Sequence, residues 1–316
     1  MPLLTPSRAA AGAALAALCL GTLAGGQASA AEVATSPYLK GYKDFLSGVV
    51  PPEPGVYVRN DLFYYSGDIA QTTVGGRVAV GLHEWFVGDI VAPTVVTPYK
   101  ILGGTYAFNV SLPFLGVSAR ADVDTARLGL SRSESVFNIG DISITPVILG
   151  WHAGNFHWNL GLSVVAPTGV YRKGDLAFTS LNYWTVLPQF ALTYFDPASG
   201  WDVSAAVAYA VNTKNQATQY LTGNIFDLDW AVGKQLTPAW KIGIAGYYLQ
   251  QVTGDSGSGA VLGANQMSVW ALGPAATYSF EIGQTPVSLL AKWTHEIAAS
   301  RTFQGDTVTT AFSLKF

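Results

Sequence analysis

Trp201-Asp202-Val203-Ser204-Ala205-Ala206-Val207-Ala208-Tyr209-Ala210-Val211-Asn212 alternates without a break. Trp201, Val203, Ala205, Val207, Tyr209 and Val211 face one way. Asp202, Ser204, Ala206, Ala208, Ala210 and Asn212 face the other. Period two marks a strand with one apolar face. The preceding segment repeats it, with Trp184, Val186, Pro188, Phe190, Leu192 and Tyr194 against Tyr183, Thr185, Leu187, Gln189, Ala191 and Thr193. The last segment sets Val308, Thr310, Phe312, Leu314 and Phe316 against Thr309, Ala311, Ser313 and Lys315. About twelve such segments are expected, near 56–66, 84–98, 102–113, 139–151, 155–167, 182–195, 201–212, 223–235, 240–250, 267–280, 286–297 and 307–316.

A soluble sandwich and a membrane barrel share this period, so other features must separate them. Of the 316 residues, 12% are charged and 49% hydrophobic, a greasier chain than an average soluble domain. Beyond the N-terminus no run reaches the roughly 18 apolar residues of a spanning helix. The second face of the strands is small or polar, with few charges. Trp201 and Trp240 sit just after short turns, whereas Trp184, Trp270, Tyr209 and Tyr248 sit beside long loops. Aromatics at both strand ends form girdles at headgroup depth. Connections alternate in length. Short ones fall near 98–100, 152–154, 196–200, 235–239 and 281–285, long ones near 67–83, 114–138, 168–181, 213–222, 251–266 and 298–306. Short periplasmic turns and longer outer loops are the barrel rule. The expectation is an all-β fold, a transmembrane antiparallel up-and-down β-barrel in the bacterial outer membrane. An even strand count puts both barrel ends on the periplasmic side.

Arg8, the apolar run Ala9 to Ala24 and the small residues Ala28-Ser29-Ala30 read as a secretory signal peptide over residues 1–30. Cys19 lies inside it, after Leu18, where a lipoprotein signal would need a small residue. The mature chain would then hold no cysteine, which excludes disulfides and thiolate chemistry. Residues 31–55, ending Pro51-Pro52-Glu53-Pro54-Gly55, read as a periplasmic lead-in or a plug, and 56–316 as the barrel. A net charge of −3 gives no reason to expect nucleic acid as a partner. The expected partners are the lipid bilayer, the outer-membrane assembly machinery and a hydrophobic solute. Phe312, Leu314 and Phe316 form the assembly signal.

Candidate site residues follow from the faces. The lumen or substrate path is expected to include Tyr57, Arg59, Asp61, Phe63, Tyr183, Gln189, Asp227, Asp229, Lys241, Tyr247 and Lys292. Trp184, Trp201, Tyr209, Trp240, Tyr248 and Trp270 form the membrane girdle. Asp227 and Asp229 share a face at i, i+2. The expectation is that inward Lys or Arg from neighbouring strands neutralise them, a cation site with Lys241 or calcium binding being the alternatives. Inward aromatics, Tyr65 among them, either line a path for apolar solutes or fill space. Gly254-Asp255-Ser256-Gly257 has the look of a serine-nucleophile loop, but lacks the flanking histidine and aspartate contexts that a triad needs. It reads as a Gly/Ser turn. The histidines, His83, His152, His157 and His295, have no serine partner in sequence. No catalytic residue, metal or cofactor is expected.

Several segments resemble the outer-membrane family named for the meta-pathway of phenol degradation. They are Pro51 to Tyr57 with Tyr64-Tyr65; Lys100 to Tyr106 with Ser111-Leu112-Pro113; and Pro167-Thr168-Gly169 with Tyr171. Asn212-Thr213, Thr218, Tyr220 and Thr222-Gly223, then Asp227-Leu228-Asp229, continue the order, as do Gly246-Tyr247-Tyr248, Gln250-Gln251 and Gly254 to Gly257. The resemblance spans the mature chain. It implies an outer-membrane transporter for aromatic or other hydrophobic compounds and carries over no residue-level site. Two function classes therefore stand: a channel for hydrophobic small molecules, and a structural or interaction barrel without transport.

Overall fold

The computed structural model describes residues 32–125 and 128–316. The expected signal peptide, with Cys19, lies outside the described residues. Thirteen strands form one sheet: β1 Gly55–Val74, β2 Arg77–Ile101, β3 Gly104–Thr125, β4 Leu128–Ile139, β5 Ile142–Ala153, β6 Phe156–Ala166, β7 Thr185–Asp196, β8 Trp201–Asn212, β9 Ile225–Gln235, β10 Trp240–Gln251, β11 Ser268–Ile282, β12 Thr285–Ser300 and β13 Gln304–Lys315. β4 and β5 lie in line along β3, interrupted at Gly140-Asp141. They make one stave of a twelve-stranded antiparallel wall. β1 pairs with β13, and β2 with β3, so the sheet closes on itself. Closure leaves the ladder no free ends in lipid, which lets a sheet cross a bilayer.

Alternation sorts the side chains as a barrel requires. Leu62, Leu160, Val186, Val203, Ile244 and Val308 point outwards and are exposed, while Asp61, Asp202, Asp227 and Lys241 point inwards and are buried. Aromatic pairs mark both edges of the apolar belt: Tyr248 stacks on Trp270 at 4.2 Å by the long loops, and Trp240 meets Tyr278 at 4.8 Å by the short turns. An inward Lys or Arg moved to the lipid face would cost about 2–4 kcal/mol at the midplane. The barrel is built for the bacterial outer membrane.

Two of the expected long loops are strand instead. β1 and β2 run on through 67–83 and turn on Gly75-Gly76 alone, and β3 and β4 occupy most of 114–138. Both turn glycines have positive φ, 56° and 79°, the conformation of a tight two-residue hairpin turn. Gln71, Thr72 and Thr73 hid this extension. A strand that rises beyond the bilayer needs no apolar outer face, so its alternation fades while its ladder continues. The stretch 298–306 is likewise mostly strand, with β12 reaching Ser300 and β13 starting at Gln304. The connections 167–184, 213–224 and 252–267 are true loops, and the first folds inwards, burying Leu176, Ala177 and Phe178.

Candidate functional site

Residues 32 to 54 run down the inside of the barrel. At the long-loop end the Glu32 carboxylate accepts hydrogen bonds from Tyr171 Oη, Asn215 Nδ2 and Thr218 Oγ1, each 3.1 Å, and Val33 N donates to Thr73 O. At the short-turn end His152 Nε2 lies 2.9 Å from Val50 O. The segment then leaves the lumen through Pro51 to Pro54 and enters β1.

One carboxylate on the wall holds the middle of this plug. Asp229 of β9 accepts from Tyr38 Oη at 2.6 Å, Gly41 N at 2.9 Å and Lys43 N at 2.8 Å. Glu296 of β12 is fully buried and ion-paired with Lys40 at 2.6 Å, while Tyr65 and Tyr247 donate their hydroxyls to it. Arg59 joins Asp61 to Asp44 of the plug, both at 2.8 Å. Lower down, Leu46 N donates to Ser204 and Gly48 N to Thr193. Phe45 sits over Gly233, where an added Cβ would lie 2.5 Å from its ring. A glycine is needed there because the ring lies against bare backbone.

The neutralising pairs differ from the sequence expectation. Lys241 pairs with Asp202, not with Asp227 or Asp229. Asp229 is satisfied by the plug, whose N–H and O–H groups have no local sequence signal linking them to β9. Asp227 is 2% exposed, and neither of its oxygens has a hydrogen-bond partner. Lys292 donates to Gly41 O and stands 3.7 Å from Asp44.

The plug is off-centre. Between it and the wall made by β1–β3 and β5–β7 lies a cavity of about 470 Å³. Its upper part is apolar, with Phe63, Phe86, Leu115, Val117 and Phe178. Its lower part is polar, with Asn109, Ser143, Thr145, Asn159, Ser163 and Gln189. Of the lumen candidates, Tyr57, Arg59, Phe63 and Gln189 line this cavity. Asp61, Asp227, Asp229, Lys241, Tyr247 and Lys292 lie buried around the plug, and Tyr183 is buried beside the loops. Trp184, Trp201, Trp240 and Trp270 are exposed on the outer surface, and Tyr209 and Tyr248 are partly so. Glu296, Asp202, Glu84 and the plug residues Glu32, Tyr38, Lys40 and Asp44 were not among the sequence candidates. The alternation puts Glu84, Asp202 and Glu296 on inward faces, but nothing local names their partners: Lys40 and Glu296 are 256 residues apart.

The remaining chemistry is quiet. Asp255 accepts from Tyr220, Gly223 N and Gln251, and so pins the loop 252–267 to its neighbour. Burial lifts its carboxyl above the usual range, against the three donors, which lower it. His83 faces Asp68 at 2.8 Å and His295 faces Asp306 at 3.0 Å, so a carboxylate rather than a serine partners each ring. His152 and His157 touch through Nδ1 at 2.7 Å. Among the described residues no three His, Cys, Asp or Glu side chains gather as metal ligands.

The model of a family described as "Putative MetA-pathway of phenol degradation" matches residues 68–312. Among solved structures, an outer-membrane channel from Pseudomonas putida F1 is 15% identical, with 85% of this chain and 100% of that one covered and a TM-score of 0.65. At that identity the likeness speaks to the fold. The β domain of the Bordetella autotransporter BrkA is 10% identical over 84% of this chain and 100% of that one, with a TM-score of 0.47. The transport unit of AIDA-I from Escherichia coli is 9% identical over 84% and 91%, with a TM-score of 0.48. No curated protein matches the chain.

Proposed function

Since the chain belongs to the family described as a putative meta-pathway of phenol degradation, we propose that it is an outer-membrane channel for hydrophobic small molecules, aromatic ones among them. The observation that carries this reading is the cavity beside the plug. Its volume of about 470 Å³ suits a small ring compound. Its aromatic upper part and polar lower part would pass an amphipathic solute better than a sugar, which needs hydrogen bonds along its whole length. The plug takes up the rest of the lumen, which otherwise would be wider than the filled core of an eight-stranded barrel. Its many bonds to β7–β9 and β12 favour a fixed constriction over a free-hanging tail. Phe312, Leu314 and Phe316 at the end of β13 would be read by the assembly machinery.

Solute uptake into vesicles holding the refolded barrel tests this, with the protein-free rate subtracted. Phenol should pass faster than a small sugar at equal gradient. Equal passage of both would make the barrel a general pore. Passage of neither would favour the structural or interaction reading.

A further inference from the structure

One charge in the cavity has no partner of its own. Glu84 on β2 points inwards beside Phe86, and its cross-strand neighbours are Gly67 on β1 and Ala119 on β3. Both are too small to cover a carboxylate. Among the described residues no hydrogen bond or ion pair reaches it. Lys40 is the cation that acts on it, and that ammonium already lies 2.6 Å from Glu296. The other cations lining the cavity are offset where they stand. Arg59 is held by Asp44 and Asp61, and Lys43 is surrounded by Asp229, Asp44 and Asp61.

Aromatic rings line the cavity on the same strands, and the Lys40 ammonium already lies over the Tyr65 ring at 5.3 Å. Tyr65 stacks on Phe86 at 4.8 Å, and Phe63 meets Phe86 edge-on at 5.7 Å. Phe178 from the in-folded loop lines the same cavity. A carboxylate at the rim of an aromatic cage is the pair of features that recognises an organic ammonium. The charge draws the cation into a low-dielectric cleft, and the ring faces attract it again once it has shed water. A solute carboxylate would instead meet a like charge, offset only by the Lys40 ammonium that Glu296 already holds.

The geometry points to Glu84 as a specificity-determining residue that makes this channel prefer amine-bearing hydrophobic solutes to carboxylate-bearing ones. This rests on the channel reading above. The solute's ring or chain lies among Phe63, Tyr65 and Phe86, and its ammonium meets Glu84. Nothing covalent happens, and the amine leaves towards the polar lower cavity.

Three solutes of one shape separate the cases: phenethylamine, 2-phenylethanol and 3-phenylpropanoate, each offered to vesicles at equal gradient with the protein-free rate subtracted. At pH 8.5, where the Glu84 carboxyl is ionised, the amine should pass the native barrel at least about tenfold faster than the acid, with the alcohol between. Glu84→Gln should bring the amine-to-alcohol rate ratio close to one. Glu84→Lys should turn the preference towards the acid. If the amine-to-acid ratio is the same in the native barrel and both variants, Glu84 does not select. If the alcohol passes but the amine has no advantage in the native barrel, the inference fails and the channel stands. If none of the three passes, it is the channel reading that fails.

Discussion

The two sides of the lumen wall have opposite characters. β8, β9 and β12 carry buried polar groups that hold the plug: Asp229, Glu296 and Ser204 each accept from it. β1, β2 and β3 carry Phe63, Phe86, Leu115 and Val117, face the cavity and leave Glu84 unpartnered. One side is polar and closed, the other open and, in its upper part, apolar. A buried polar group must find a partner, so a polar wall calls for something to lie against it, and an apolar wall does not. The plug therefore settles against β8–β12, and the free space falls on the other side.

The sharpest way to break this contrast is to remove the polar wall's main hold. Asp229→Ala takes away three hydrogen bonds to a carboxylate, on the order of 3 kcal/mol of plug docking. That moves the balance between docked and released plug by about two decades. Single-channel conductance and sugar uptake should both rise sharply. An unchanged conductance would mean the plug is held elsewhere. Gly233→Val is expected to do less. It pushes Phe45 off its seat at about 1–3 kcal/mol, the usual cost of overpacking, and should give intermittent wider openings. Asp227→Asn should do far less to conductance, because the plug reaches that carboxylate only through Ser36 and the charge of Lys40, with no hydrogen bond of ordinary geometry. Its thermal stability should equal or exceed that of the native barrel, and a variant as leaky as Asp229→Ala would show that the two carboxylates share one task.

The smallest effect lies outside the bilayer. Because burial raises the Asp255 carboxyl in the folded loop, the loop binds that proton more tightly than the unfolded chain does. Its stabilising contribution is full below the ordinary carboxylate range and is lost as pH rises through the raised value. Proteolysis of loop 252–267 should quicken over that rise, and Asp255→Asn should remove the dependence. Quickening as pH falls instead would reverse the assigned sign.

Much of the barrel could be read from the alternating faces, because a closed sheet in lipid imposes period two on every stave. The same rule explains where the reading failed. Beyond the bilayer, Gln71 to Thr73 obey the ladder without the hydropathy, so they looked like part of a loop. The inward set was visible as a set, and the pairing inside it was not. Asp227 and Asp229 are indistinguishable in sequence, at i, i+2 on one face. Only the plug tells them apart, and its residues Tyr38 to Lys43 approach from 186 to 191 positions away. Glu84 was passed over because a lone acid in a long segment gives no hint that Gly67 and Ala119 will flank it.

Solutes are expected to pass beside a plug that stays docked. Leu46 N lies 3.0 Å from Ser204 Oγ, which brings the two residues into contact; Leu46→Cys with Ser204→Cys, in a mature chain expected to hold no other cysteine, ties the plug to β8 once mass spectrometry shows that the disulfide has formed. Uptake of phenol by oxidised and reduced forms of this double variant is the direct measurement. The account predicts that both forms take it up at similar rates. Loss of uptake on oxidation, restored by reduction, would contradict it and make plug release the gate.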